Sequence, residues 1–275
     1  MRQLISKPRN RITQGTIFSG VYKSYVCEVE CFGLSITARC DTARDFKAPL
    51  LNFLPVIRME DWMSHEALPR CREKVHRSSL LSLKKYLIDK DGSSVILDSF
   101  GPARAFARPE CTDRIFLTAK AGYEAAKRAE NLFMDQRDLL PKSICKEVLT
   151  AAREVVAHKH QDYFFLECID ATAQDTEHSL GYVVLLREVR SIPRAAALKI
   201  RSGIDTDTIT DRDVAGSTSE FNLRFHELAY PVSELNSPYM EQLMQAFSSL
   251  FARVGVPDID KNFITRIDKF IGTEK

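Results

Sequence analysis

The sequence predicts an α+β fold: a small β-barrel-like element, interrupted by a long helical segment and closed by helices at the C-terminus. Three observations predict it. Apolar residues within 12–60 fall in short strand-like runs between turn residues. From about residue 60 to 160 the apolar spacing becomes helical. Strand patterns then resume and give way to an apolar helical stripe after Ser237. The expected divisions are 10–60 and 161–200 as barrel halves, 61–160 as a mostly helical insertion, and 201–275 as a mobile loop with C-terminal helices.

In order, Gly15 opens a strand through Thr16-Ile17-Phe18 and on to Val21-Tyr22. Tyr25 to Glu30 alternates, Gly33 breaks the run, and Leu34-Ser35-Ile36-Thr37 is the next strand. Leu50 to Ile57 is almost continuously apolar, as in a buried strand, and Pro55 implies an edge, a bulge or the strand end. Glu73 to Asp89 has helical spacing, and Asp91-Gly92 makes a turn. Residues 93–111 are ambiguous, with Val95-Ile96-Leu97 as a short strand in one reading, broken by Gly101-Pro102. Thr118 to Leu140 is rich in helix formers. Pro141 opens the next helix, with Ile144, Val148, Ala152, Val155 and Val156 on one face. Tyr163–Ile169 and Gly181–Leu186 form a hairpin with a long connection, and Glu188–Pro193 ends it. Residues 201–219 are polar and read as mobile. Ser237 and Pro238 open a helix carrying Leu243, Met244, Phe247, Leu250 and Phe251, with Gly255 and Pro257 stopping it. A last helix carries Phe263, Ile267 and Phe270.

With 275 residues, 44% hydrophobic and 28% charged, the chain supports a sizeable core without staples. Its net charge of +2 gives no global field toward nucleic acid or membrane. Seven scattered cysteines do not look like a secreted disulfide framework. The start lacks an apolar signal region and no run is long enough to span a bilayer, so a cytoplasmic location with reduced thiols is expected. There is no P-loop and no G-x-G-x-x-G, and no cofactor is implied.

The succession Gln14-Gly15-Thr16-Ile17-Phe18, Leu34-Ser35-Ile36-Thr37, Leu54-Pro55-Val56-Ile57, Arg190-Ser191-Ile192-Pro193 and then Ser237-Pro238 resembles the layout of the MazF/PemK-like family of bacterial toxins. That resemblance implies an SH3-like barrel, here with residues 61–160 inserted, and an RNA-cleaving activity. It covers about a third of the chain, and fold alone does not carry function. The family's basic residue before the second strand and hydroxyl residue after the third are replaced by Cys31-Phe32-Gly33 and Arg58-Met59-Glu60, so its catalysis does not transfer residue by residue. Ser35 to Asp41 also resembles bacterial proteins with a "CDIA"-type motif after a strand, which belong with prophage and defence genes.

Candidate sites follow from the residues. Thr37, Arg39 and Asp41, with Asp45 and Lys47 nearby, gather a cation and carboxylates at a strand end, where they suit phosphate binding or acid–base work. The alternative is a capped surface turn in which Arg39 pairs with Asp45. Asp45-Phe46-Lys47 also resembles the D/E-x-K of metal-dependent nucleases, which needs a second acid on a neighbouring strand. Arg70, Arg72, Lys74 and Arg77, followed by Lys84 and Lys85, form either a phosphate-binding face or a solvated helix face. Trp62 is a core anchor or an interface residue. Cys27 and Cys31 on one strand would sit about 13 Å apart, too far for one zinc. His158 and His160 suit a helix end whose dipole they complement better than a metal.

The leading expectation is a non-enzymatic interaction or regulatory protein of a bacterial defence or phage-related module, binding a protein partner. The alternatives are a MazF/PemK-like endoribonuclease and a metal-dependent nuclease, which would take RNA or DNA. No membrane partner is expected. A homodimer would be built on a barrel edge or on the C-terminal helix.

Overall fold

The computed structural model describes residues 5–6, 11–21, 29–42, 46–107, 112–170, 179–210, 213, 223 and 227–251. The fold is mixed α+β: a curled antiparallel half-barrel sheet with helices against it. Its strands are β1 (Ile5–Ser6), β2 (Thr16–Val21), β3 (Cys31–Ser35), β4 (Leu50–Arg58), β5 (Tyr163–Leu166), β6 (Tyr182–Leu185), β7 (Arg190–Pro193) and β10 (Pro231–Leu235). The order across the sheet is β1-β10-β2-β3-β4-β6-β5, with β7 also paired to β4. A separate two-stranded ladder joins β8 (Ile204–Asp205) to β9 (Leu228–Ala229).

Strand β4 organises the sheet. Its first half pairs with β7, from Leu50 opposite Pro193 to Phe53 opposite Arg190. Its last three residues pair with β6. Pro55 falls in the gap between these two partners. A missing N–H breaks no ladder there, so a proline sits inside a central strand rather than at an edge or end. Both faces of β4 are covered, which is why it reads as almost continuously apolar. Leu51, Phe53 and Ile57 enter the main core, while Leu54 and Val56 enter a second one.

The helices are α1 (Arg39–Thr42), α2 (Met59–Trp62), α3 (Leu68–Asp91), α4 (Val95–Phe106), α5 (Arg114–Arg128), α6 (Lys142–Val156), α7 (Arg194–Ile200) and α8 (Tyr239–Phe251). Helices α2, α6 and α7 contribute Trp62, Ile144, Val148, Val155, Ala197 and Ile200 to the main core on one sheet face. Helix α8 covers the other face with Met240 and Leu243, so the expected apolar stripe packs on its own sheet. Helices α3, α4 and α5 build a third core around Leu83, Leu87, Phe106 and Phe116.

Several elements differ from expectation. Gly33 lies inside β3 instead of breaking it. Val95-Ile96-Leu97 opens helix α4, not a strand, and Gly101 (φ 76°) kinks that helix ahead of Pro102. Helix α5 stops at Arg128. The chain then turns, bringing Leu132 and Leu140 to the main core, and this packing overrides the helix-forming composition that continues to Leu140. Arg39–Thr42 is a helical turn within the stretch read as strands. The first helical carbonyl of α8 is that of Asn236, which accepts from Tyr239 and Met240, one residue before the expected cap Ser237. Strand β10 sits between β1 and β2, within the segment expected to hold only loop and helices. Part of the expected 201–219 loop is ordered into β8 and a 3₁₀ turn at Thr206–Thr208. The expected strand at Tyr25–Glu30 falls mostly outside the described residues, and the last helix lies wholly outside them. No described helix is long and apolar enough to cross a membrane.

Candidate functional site

The residues at the barrel mouth do not act together. Thr37 is buried, and its hydroxyl clasps the backbone of Asn52, accepting from its N–H at 2.7 Å and donating to its carbonyl at 3.3 Å. That hydroxyl holds the end of β3 against β4. Arg39 and Asp41 are exposed on the single turn of α1, and the Asp41 carbonyl accepts from the Lys47 N–H at 2.7 Å. Arg39 lines a polar pocket to which neither Thr37 nor Asp41 contributes. Asp45, needed for the ion-pair and the metal-nuclease readings, lies outside the described residues.

Four of the six cations in the basic stretch of α3 have a carboxylate partner. Arg70 pairs with Glu66 at 3.2 Å, Lys74 with Glu147 at 2.8 Å, Arg77 with Glu73 at 3.5 Å and Lys84 with Asp98 at 3.5 Å. Arg72 donates to the Glu130 carbonyl at 2.6 Å. A phosphate approaching this face competes with a partner already present at each of these cations. Such exposed pairs are individually weak, so the face is solvated rather than locked.

Trp62 is 1% exposed and packs edge-on against Tyr163, with ring centroids 5.2 Å apart. It is a core anchor. Around Tyr163 runs a polar chain: its phenol donates to Glu66 at 3.3 Å, and Arg70 lies over its ring at 5.3 Å. Asp162 takes Arg187 at 2.5 Å and Arg70 at 3.8 Å. Burial pushes the Tyr163 phenol well above its ordinary range, with Arg70 opposing and Glu66 assisting. Burial also lowers the pKa of His158 and His160, which disfavours the charged form that a dipole-complementing role requires. Their rings rest on Phe164 and Tyr163, which face opposite sides of β5. Among the described residues no group of three His, Cys, Asp or Glu is placed to hold a metal. The five described cysteines are free thiols.

The feature that sequence reasoning missed begins where β4 ends. Helix α2 carries Glu60 and Asp61 in its first turn, then widens into a π-helical turn at Met63–Ala67 before continuing as α3. Such turns recur at functional sites. This one presents Met63 and His65, beside Asp61 of α2, to a cleft of about 580 Å³. The facing wall is Phe133, Met134, Asp135 and Arg137, from the turn after α5, with Leu180 at the end. The volume lies in the range of ligand-binding clefts, roughly 300–1,000 Å³. Phe133 is 50% exposed and Leu180 52%, so the cleft offers apolar surface to solvent. The His65 ring tilts against Phe133 at 5.9 Å, and Glu60 accepts from the Leu180 N–H at 3.4 Å. The lining holds three acidic residues, Glu60, Asp61 and Asp135, against one arginine, Arg137. Burial raises the Asp61 pKa, while Arg58 and His65 pull it back. The cleft is therefore acidic and partly apolar, suited to a cationic, apolar ligand. No local pattern marks it, because its walls are 70 residues apart in sequence.

Comparison with family models, with curated proteins and with solved structures finds no match to this chain.

Proposed function

We propose that this protein is a non-enzymatic interaction or regulatory protein that takes a basic, apolar segment of a protein partner into the cleft between Asp61–His65 and Phe133–Arg137. The observation carrying the reading is the composition of that cleft: exposed Phe133 and Leu180 beside an excess of carboxylates. Aromatic anchors within a polar rim are what partner-binding surfaces use. In this reading the sheet is an SH3-like barrel, and the helices and turns between β4 and β5 are an insertion that supplies both walls of the cleft. The setting, from the resemblance of Ser35 to Asp41, is a bacterial defence or phage-related module. The endoribonuclease reading has less behind it, since the Thr37 hydroxyl is engaged with Asn52.

The test is fluorescence anisotropy with a labelled peptide alternating Lys with Leu and Phe, beside one in which Glu replaces Lys. The wild type binds the basic peptide preferentially, and Asp61→Asn/Asp135→Asn weakens it roughly tenfold or more, as expected when charge-assisted contacts are lost. Equal binding of both peptides, or binding of neither, overturns the proposal.

A further inference from the structure

A second site, independent of the cleft, lies where three distant parts of the chain meet at the sheet's other end. The segment before β2, the turn α1 and the corner before α8 enclose a pocket of about 180 Å³ with an almost wholly polar lining. Two arginines, Arg11 and Arg39, line it together with Thr13, Gln14, Asn236 and Ser237.

The backbone around these groups is held in place. The Thr13 and Thr42 hydroxyls hydrogen-bond at 3.1 Å, which ties the segment carrying Arg11 to the turn carrying Arg39. The Thr13 N–H donates to the Thr16 hydroxyl at 2.9 Å. The Gly15 N–H donates to the Ser35 carbonyl and the Gly15 carbonyl accepts from Leu235, both at 2.8 Å, fixing the loop between β3 and β10. Both arginines are exposed, and neither guanidinium has an ion pair or hydrogen bond with a described residue. This separates them from the α3 cations, where an incoming anion competes with a partner already in place.

We propose that this pocket is a binding site for a phosphate group, held between the Arg11 and Arg39 guanidiniums, with further donors from the Gln14 amide and the Ser237 hydroxyl. Guanidinium forks match phosphate oxygens in geometry and charge. The volume lies below the roughly 300 Å³ at which whole-ligand pockets begin, so the pocket takes an anionic group rather than a complete ligand. Glu234 also lines it, so the described lining residues set two cations against one carboxylate. That balance fits a singly charged phosphate, either free dihydrogen phosphate or the phosphodiester of a nucleotide chain.

The experiment is isothermal titration of the full chain at low ionic strength with inorganic phosphate and, separately, with a short single-stranded RNA. Wild type, Arg11→Gln, Arg39→Gln, the double variant and Arg77→Gln are compared. Saturable binding that each pocket variant weakens roughly tenfold, that the double variant abolishes and that Arg77→Gln leaves unchanged establishes the site. Tighter RNA binding, with a salt slope near that of a single phosphate contact (about −0.7), assigns a phosphodiester ligand, and equal or weaker RNA binding assigns free phosphate. Absence of saturable binding for both probes, or binding that survives in the double variant, overturns the proposal. These outcomes do not depend on the acidic cleft, so either site can fail without the other.

Discussion

The Phe18 ring lies across Gly33 on the neighbouring strand, so closely that a Cβ on Gly33 would meet the ring at 2.4 Å. The ring is fully buried and stands edge-on to Phe53 at 5.3 Å, which leaves it little room to yield. Gly33→Ala gains at most about 1 kcal/mol from reduced chain entropy but overpacks this contact, at about 1–3 kcal/mol. The variant unfolds at lower urea concentration than wild type, and Phe18→Leu in the same chain recovers part of the loss. A variant as stable as wild type would show that the contact is not limiting.

Asp61 illustrates a conflict between stability and binding. Its pKa is raised in the folded chain, chiefly by burial. Its contribution is therefore most favourable below the unfolded value of 3.8 and declines as pH rises through the raised value, leaving a penalty at neutral pH. Asp61→Asn raises the melting temperature at pH 7, and the gain disappears near pH 3. The same substitution weakens the basic peptide. A thermal shift series across pH, beside the anisotropy titration, checks both halves.

Thr37 separates a structural role from a chemical one. Thr37→Val removes both bonds to Asn52 from a buried position and lowers stability by about 1–3 kcal/mol. Thr37→Ser keeps the hydroxyl and most of the stability. If both variants unfold with wild-type midpoints in denaturant, the clasp is not stabilising.

Asp213 accepts from the Lys199 ammonium at 2.6 Å, the Thr210 N–H at 2.7 Å and the Thr210 hydroxyl at 2.9 Å. These contacts, the Lys199 bond first, lower its pKa to about 2. Their stabilisation is present above the ordinary value of 3.8 and is lost as pH falls toward 2. Protection of the Thr210 amide, taken against its intrinsic exchange rate, falls over that window, and Asp213→Asn lowers it already at neutral pH. A Thr210 amide rate that is the same in both proteins would overturn the assignment.

What the sequence made legible followed from periodicity. Ile144, Val148, Ala152 and Val155 recur at helical spacing and are buried on one face of α6. The run from Leu50 to Ile57 announced a strand covered on both faces. Elsewhere local signals competed with tertiary ones. Gly33 looks like a breaker until the Phe18 ring is seen to need its missing side chain. Pro55 looks like an edge residue until β4 is seen to change partners beside it. Strand β10, Pro231–Leu235, opens with a proline and alternates too briefly to stand out. At the sites, Arg39 was visible as a cation at a strand end, but Arg11 and Asn236 become its neighbours only through the fold. The cleft was illegible because neither Asp61 nor Phe133 carries a local signature.

The placement of β10 bears on how the chain is made. Ser6 and Glu234 lie 228 positions apart, yet they are bonded neighbours. Strand β2 has no neighbour on that side until β10 arrives. At roughly 5–20 residues per second, the emerging amino-terminal half waits on the order of ten to forty seconds with an open sheet edge and Ile17 uncovered. During translation it is a natural client for holdase chaperones, and a ribosome stalled before codon 231 would display an adhesive nascent chain. Expression yield should therefore respond to elongation rate and chaperone supply more steeply than the stability of the finished protein suggests.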